Sequence, residues 1–312
     1  MIPILQIILF WILWLSNIVE GTILPDMTNK TLLLSVAELA SNAYHMPDIR
    51  NSTTWRNTTE MWYYEYSYGW EVDGLRGHVF RNVVENTIVF SVKGTSLNSK
   101  KDKESANMIC SCNCCFGNCT GECDEQRLKQ GLPNMYFMLL ISAYEDAMER
   151  YPGYTFWFTG HSMGAVVAAL AGVKTCNPVI GFSAPGEQMF ADRIELNHDC
   201  PSEPFPPIYH VGYYKDPIYV GNCGWLCAVA GYRMDSRCHH GYECTYIDST
   251  EEELLIMQRT ETMEDYQRDL GSGLIYTHTI NFLIDKVIAP QEEVPSCIAV
   301  TNCTEKCYGD SL

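Results

Sequence analysis

Positive charge is scarce in this sequence: 21 lysines and arginines stand against 38 aspartates and glutamates, a net charge of −17. Such a chain repels phosphate backbones and anionic bilayers near neutral pH, so nucleic acid is excluded as a partner. Membrane contact would have to rest on apolar burial, or on an acidic compartment in which carboxylates are protonated. Low-complexity tracts and long runs of one charge are also missing. With 46% hydrophobic and 19% charged residues, the composition is that of an ordered globular protein rather than a disordered one. Its 312 residues fit one domain behind a short N-terminal segment. No lysine or arginine precedes the apolar stretch Ile2 to Val19, so the flanking charge that orients a leader is absent. The stretch itself suits a signal anchor or a cleaved signal peptide, with Val19 and Gly21 small enough for processing before Thr22. The division expected is a leader at 1–21 and a lumenal domain at 22–312.

Cysteine is in excess. The chain has 15, including Cys110, Cys112, Cys114, Cys115, Cys119 and Cys123 in one short stretch, a density that suits an oxidising lumen. Sequons at Asn29, Asn51, Asn57, Asn118 and Asn302 agree with export and mark expected surface loops. The stretch Cys110 to Cys123 and the group Cys238, His239, His240 and Cys244 have the residue types of zinc sites, but in such a compartment disulfides are the expected reading and no metal is assigned.

Leu32, Leu33, Val36, Leu39 and Ala43 recur at helical spacing, predicting a packing helix over Thr31 to His45. His78 to Arg81 and Thr87 to Val92 read as strands of a hairpin, and the aromatic run Met61 to Trp70 alternates too poorly to assign. Residues 97–130, charged and then cysteine-dense, read as an excursion held by disulfides and as a lid candidate. Met135 to Tyr151 is an amphipathic helix stopped by Pro152-Gly153. A strand at Tyr154 to Phe158, a small-residue helix at Ala165 to Val173, and strands at Val179 to Phe182 and Ile208 to Tyr213 follow. Helices alternating with short buried strands mean a largely parallel sheet covered on both faces.

Gly160-His161-Ser162-Met163-Gly164 stands between a predicted strand and a predicted helix. A serine nucleophile needs a sharp strand-to-helix turn that exposes its Oγ, and flanking glycines remove the Cβ atoms that would clash there. Such a serine is inert unless an imidazole takes its proton and a carboxylate orients the imidazole, in the chain order Ser, acid, His. Asp216, just past a predicted strand and followed by Pro217, is the expected acid, and His278, ahead of the apolar segment Ile280 to Val287, the expected base. Two backbone donors must meet the oxyanion, and the Met163 N–H and the Thr95 N–H after the strand Thr87 to Val92 are the candidates. This chemistry calls for no metal and no organic cofactor. Gly309-Asp310-Ser311-Leu312 spells a different esterase signature but lacks strand, helix and oxyanion donors, and is set aside.

These residues resemble the class 3 (fungal-type) lipases, and among them the autophagic-body lipase of fungal vacuoles. The carriers are Gly77-His78-Val79-Phe80-Arg81, Phe90-Ser91-Val92-Lys93-Gly94-Thr95-Ser96, the cysteine-rich insertion, Thr159-Gly160-His161-Ser162-Met163-Gly164, Ala184-Pro185-Gly186-Glu187, Ile208-Tyr209-His210 leading to Asp216-Pro217-Ile218, Cys238-His239 with Cys244, and His278. The resemblance implies an α/β-hydrolase fold with a cysteine-rich insertion, Ser162 as nucleophile with Asp216 and His278, and Thr95 with Met163 at the oxyanion hole. It further implies a single-pass anchor, delivery through endosomal vesicles, and digestion of membrane phospholipids and neutral glycerides in a lytic vacuole, with a lipid surface as the partner. Met163 stands where leucine is commoner. Two other readings stay open from the residues alone: a secreted serine esterase or peptidase on the same scaffold, and a disulfide-rich ectodomain without turnover.

Overall fold

The computed structural model describes residues 23–50, 52–58, 60–96, 99–110, 130–196, 207–221, 223, 227, 229–232, 237–247 and 275–300. The leader at 1–21, the sequons at Asn51, Asn118 and Asn302, the cysteine-dense stretch past Cys110 and the tetrapeptide at 309–312 lie outside these residues. Asn29 and Asn57 are exposed. The Asn29 side chain caps the first helix by accepting from the Leu32 N–H.

Among the described residues eight strands form one sheet whose spatial order repeats the chain order. Strands β1 (Tyr63–Tyr68), β2 (Gly77–Asn82) and β3 (Thr87–Val92) pair antiparallel. From β3 the sheet runs parallel through β4 (Thr155–His161), β5 (Val179–Phe182), β6 (Ile208–Tyr213) and β7 (Tyr242–Tyr246). Strand β8 (Ile298–Ala299) closes the far margin antiparallel. The expected largely parallel sheet therefore forms with an antiparallel margin on each side. The aromatic run that would not alternate is β1, where a register irregularity between Tyr64 and Tyr66 breaks the two-residue period.

Parallel neighbours joined in unbroken order by right-handed crossovers put all their connecting helices on one face. Helices α2 (Lys100–Cys110), α3 (Tyr136–Arg150), α4 (Met163–Thr175) and α5 (Gln188–Arg193) follow this rule: Ile109, Leu140, Val166 and Phe190 share one core with Ile88, Phe90, Phe156 and Phe158. The opposite face is left to segments outside the crossovers. There α1 (Lys30–Asn42) and α6 (Ile280–Phe282, continuing as π-helix over Leu283–Ile288) set Leu33, Val36, Leu283 and Val287 against Val89, Trp157, Ile180 and Val211. Phe156 and Phe158 point to the first core and Trp157 to the second, the alternation that a two-sided strand requires.

One expectation needs correction. The segment 97–130 is not wholly an excursion, because Lys100–Cys110 is a helix whose Asp102, Ala106 and Ile109 are buried. Charge on all of its first five residues made it read as an excursion, whereas a single stripe of the helix faces the fold.

Cys244 is bonded to Cys297 across 53 residues of sequence, tying β7 to the segment before β8, and Cys223 is bonded to Cys227. Cys176 and Cys238 are disulfide-bonded as well. The group Cys238 to Cys244 therefore offers no thiolate to zinc. Replacing Cys244 and Cys297 together by alanine is expected to lower the unfolding free energy by about 2–4 kcal/mol, mainly by releasing the unfolded chain. Guanidinium titrations of the two proteins measure this, and coincident midpoints would disprove it.

Candidate active site

All the groups in question converge on the carboxyl edge of the parallel strands. Strand β4 ends at His161, and the next residue turns sharply: Ser162 sits at φ 58°, ψ −127°, a conformation that costs a non-glycine residue about 1–3 kcal/mol. Hydrogen bonds hold it there. The Ser162 N–H donates to the Phe182 carbonyl at 2.9 Å, and the Ser162 carbonyl accepts from the N–H groups of Ala165 (3.0 Å) and Val166 (3.3 Å). The glycines make the turn sterically possible, since a Cβ on Gly160 would lie 2.5 Å from the Gly164 carbonyl carbon, and one on Gly164 would lie 2.3 Å from the Val92 carbonyl oxygen. Close packing continues along α4, where every residue from Met163 to Val173 is buried.

Asp216 lies beyond β6 and is fully buried. Its Oδ1 accepts the N–H groups of Ile218 (2.9 Å) and Tyr219 (3.3 Å), so the turn that Pro217 starts also fixes the carboxylate. His278 ends a short 3₁₀ turn, Ile275–His278, just ahead of α6. Its neighbours hold it on both sides: Thr277 Oγ1 donates to the Lys215 carbonyl at 3.1 Å, and Thr279 caps α6 by accepting the Phe282 N–H. The His278 Nδ1 stands 3.0 and 2.9 Å from the two Asp216 oxygens, and its Nε2 stands 2.9 Å from Ser162 Oγ. A carboxylate only accepts, so Nδ1 carries the proton and Nε2 is left to accept from the serine hydroxyl. Burial alone would raise the Asp216 pKa. The adjoining His278, through its charge and its hydrogen bond, together with the Ile218 N–H, outweighs it and holds the carboxyl below its ordinary value.

The turn after β3 is pressed against the elbow, for a Cβ on Gly94 would lie 2.5 Å from the His161 carbonyl oxygen. Thr95 follows directly, with its Oγ1 buried and without a hydrogen-bond partner among the described residues. Met163 is the first residue of α4, so its N–H has no intrahelical acceptor. Sequence reasoning missed the residue that braces this turn. Asp102 of α2 accepts the Ser96 N–H at 2.7 Å and the Tyr136 hydroxyl at 2.9 Å, and lies 3.7 Å from the buried ammonium of Lys93. Lys93 in turn donates to the Gly94 carbonyl and Ser96 Oγ. A signal was available: Ser99 and Asp102 have capping-box spacing, and the Asp102 N–H donates to Ser99 Oγ.

One group among the described residues has the makings of a metal site. Glu187, His210 and His239, all buried, bring one donor atom each within 4.8 Å of one another. Two observations argue against an ion. The His210 and His239 rings are stacked, with centroids 4.5 Å apart and planes at 27°, and in-plane lone pairs of stacked rings do not meet at one ion about 2 Å away. Both His239 nitrogens also already face acceptors, the Ala184 carbonyl and Glu243, each at 2.8 Å. Burial opposes a charge on this ring, but the Glu243 hydrogen bond and the Glu187 and Glu243 charges outweigh it and raise its pKa. His239 thus sits where its surroundings favour the charged ring, stacked on His210 and Tyr219 and hydrogen-bonded to Glu243.

Residues 89–177 match the family model described as Lipase (class 3), which spans β3 to α4 and stops before Asp216 and His278. Two proteins named "Putative lipase ATG15" are similar along 93% of the chain: one from Vanderwaltozyma polyspora at 32% identity, and one from Saccharomyces cerevisiae (strain ATCC 204508 / S288c) at 30%. The alignments cover 53% and 57% of those proteins, so the chain spans about half the length of the curated relatives it matches. Among solved structures, a lipase from Rhizopus microsporus var. chinensis is similar at 16% identity with a TM-score of 0.42, over 73% of this chain and 83% of that one.

Proposed function

The chain belongs to the class 3 lipase family, and from that premise we propose that it is a serine hydrolase that cleaves carboxylic ester bonds of membrane phospholipids, triacylglycerols or both. The observation that carries the reading is the unbroken line of hydrogen bonds from Ser162 Oγ through His278 to Asp216 at the edge of the sheet. Ser162 Oγ attacks the ester carbonyl as its proton passes to His278 Nε2. Asp216, already ionised, stabilises the imidazolium that forms. The negative charge on the former carbonyl oxygen falls to the Met163 N–H and to Thr95, through its N–H and its hydroxyl, which has no other partner among the described residues. His278 then returns its proton to the departing alcohol oxygen, leaving an acyl group on Ser162. Water, deprotonated by His278, releases the fatty acid and restores the hydroxyl.

The setting proposed is a vacuolar or lysosomal lumen in which autophagic and intravacuolar vesicles are broken down. Its supports are the relatives' names, the disulfides, the exposed sequon residues Asn29 and Asn57, and the apolar stretch Ile2 to Val19, which would carry the chain into the secretory pathway as an anchor or a cleaved signal. No helix among the described residues is long and apolar enough to cross a membrane.

Incubating the purified protein with mixed phospholipid liposomes and emulsified triglyceride, with products identified by mass spectrometry at acid and neutral pH, tests the substrate class. Free fatty acids with lysophospholipids or diacylglycerols are expected, at a rate that climbs once the substrate forms a surface. Cleavage of soluble short-chain esters alone would defeat the lipid reading.

A further inference from the structure

His161, the second residue of the elbow, has no part in the three-residue set, yet both of its ring nitrogens are engaged. Its Nε2 lies 2.6 Å from the main-chain carbonyl oxygen of His278, and its Nδ1 lies 2.7 Å from the Tyr44 hydroxyl. A carbonyl oxygen cannot donate, so the His161 proton sits on Nε2 and the Tyr44 hydroxyl must donate to Nδ1. Burial, together with the neighbouring His278, pushes the His161 pKa down to about 3, so the ring is neutral near neutral pH. Burial and then the Asp102 charge raise the Tyr44 phenol, which keeps its proton. Tyr44 also touches the oxyanion turn: a Cβ on Gly94 would lie 2.0 Å from the Tyr44 oxygen. The donors of this strut therefore run one way, from Tyr44 through His161 to the backbone of His278, with the Gly94 turn packed against the Tyr44 hydroxyl.

We propose that Tyr44 and His161 are positioning residues, which lock the main chain of His278 and the Gly94-Thr95 turn into one unit and so set the base and the oxyanion donors in register. The proposal rests on the hydrolase reading of Ser162, His278 and Asp216. The two parts come from distant stretches of chain: Asp102 braces the turn from α2, and Thr277 and Thr279 hold the histidine from its own neighbours. A neutral His161 suits the task, because its ring centroid is 4.9 Å from that of His278 and a charge there would oppose the imidazolium formed in each half-reaction. Reacting groups tolerate little misplacement, so slack in this strut appears as slower chemistry rather than weaker substrate binding.

The test compares the unmodified protein with Tyr44→Phe, His161→Leu and His161→Gln, each titrated with a fluorophosphonate so that turnover is expressed per labelled Ser162. Tyr44→Phe, which removes one oxygen, is expected to lower kcat about 10-fold with KM within about twofold, and with the fraction of sites labelled unchanged. His161→Leu is expected to lose about 100-fold. His161→Gln should recover to within about 10-fold of the unmodified protein, since its carboxamide can donate to the His278 carbonyl and accept from Tyr44. Loss of structure alone would reduce the labelled fraction and not the rate per site. Unchanged kcat per labelled site in Tyr44→Phe, or a glutamine variant no better than leucine, would overturn the proposal. Should His161→Leu fail to fold, Tyr44→Phe still decides. If the unmodified protein neither labels nor hydrolyses, the hydrolase reading itself falls and this proposal with it.

Discussion

Alanine in place of Ser162 is expected to lower lipid ester turnover by about 10⁵–10⁶-fold and to abolish fluorophosphonate labelling, while the folded protein persists. The change removes one hydroxyl, whose partner among the described residues is His278 Nε2, and that nitrogen can accept from water instead. Every main-chain bond that holds the turn is kept, because the N–H and carbonyl of residue 162 still meet Phe182, Ala165 and Val166. Neither residue type is at ease at φ 58°, so alanine inherits the strain without adding to it. Fatty acid release by the purified variant, measured beside its thermal unfolding, decides the matter. Hydrolysis near the parent rate would mean that another group attacks the ester.

The second large effect belongs to Asp216→Asn, expected to cost about 10⁴-fold in kcat. The geometry gives a specific reason. Asp216 Oδ1 accepts two backbone N–H groups, from Ile218 and Tyr219, so the oxygen of an asparagine must stay there and its NH₂ must take the place of Oδ2. That NH₂ then points at His278 Nδ1, 2.9 Å away, and opposes a proton there, which favours the tautomer in which Nδ1 has given up its proton. The proton moves to Nε2 and faces Ser162, where an acceptor is needed. Flipping the amide sets NH₂ against two N–H donors and is no better. Parent-like turnover in this variant would mean that a different carboxylate orients the imidazole. There is also a consequence for acidity. Because the Asp216 pKa is lowered on folding, its stabilising contribution is complete above the unfolded value and fades only as pH falls through the lower, folded one. The pair therefore survives in a mildly acidic lumen, and the asparagine variant lacks this acid-sensitive part of the stability.

How far the sequence could be read depended on whether a signal was local. The elbow was legible because strand, glycines, serine and small-residue helix are contiguous, and the order Ser, acid, His then picked out Asp216 and His278 from regions of quite different composition. Asp102 and Tyr44 were not legible in the same way. A carboxylate among lysines reads as solvated surface, and its burial depends on Ser96 and Tyr136 arriving from other elements. Tyr44 sits at the frayed end of a helix predicted for packing alone, and nothing near it in sequence indicates that its hydroxyl meets the elbow. Strand β1 was illegible because its irregular register sends aromatic residues to both sides. Which helices cover which face follows from the strand order, a property of the whole chain that no window of residues contains.

That strand order has a consequence for biosynthesis. Since the crossovers fill only one side of the sheet, the other is closed by α1 and α6, and His278 arrives with α6, 116 residues after Ser162. A ribosome-bound chain that has exposed its serine but not yet delivered the imidazole can attack nothing.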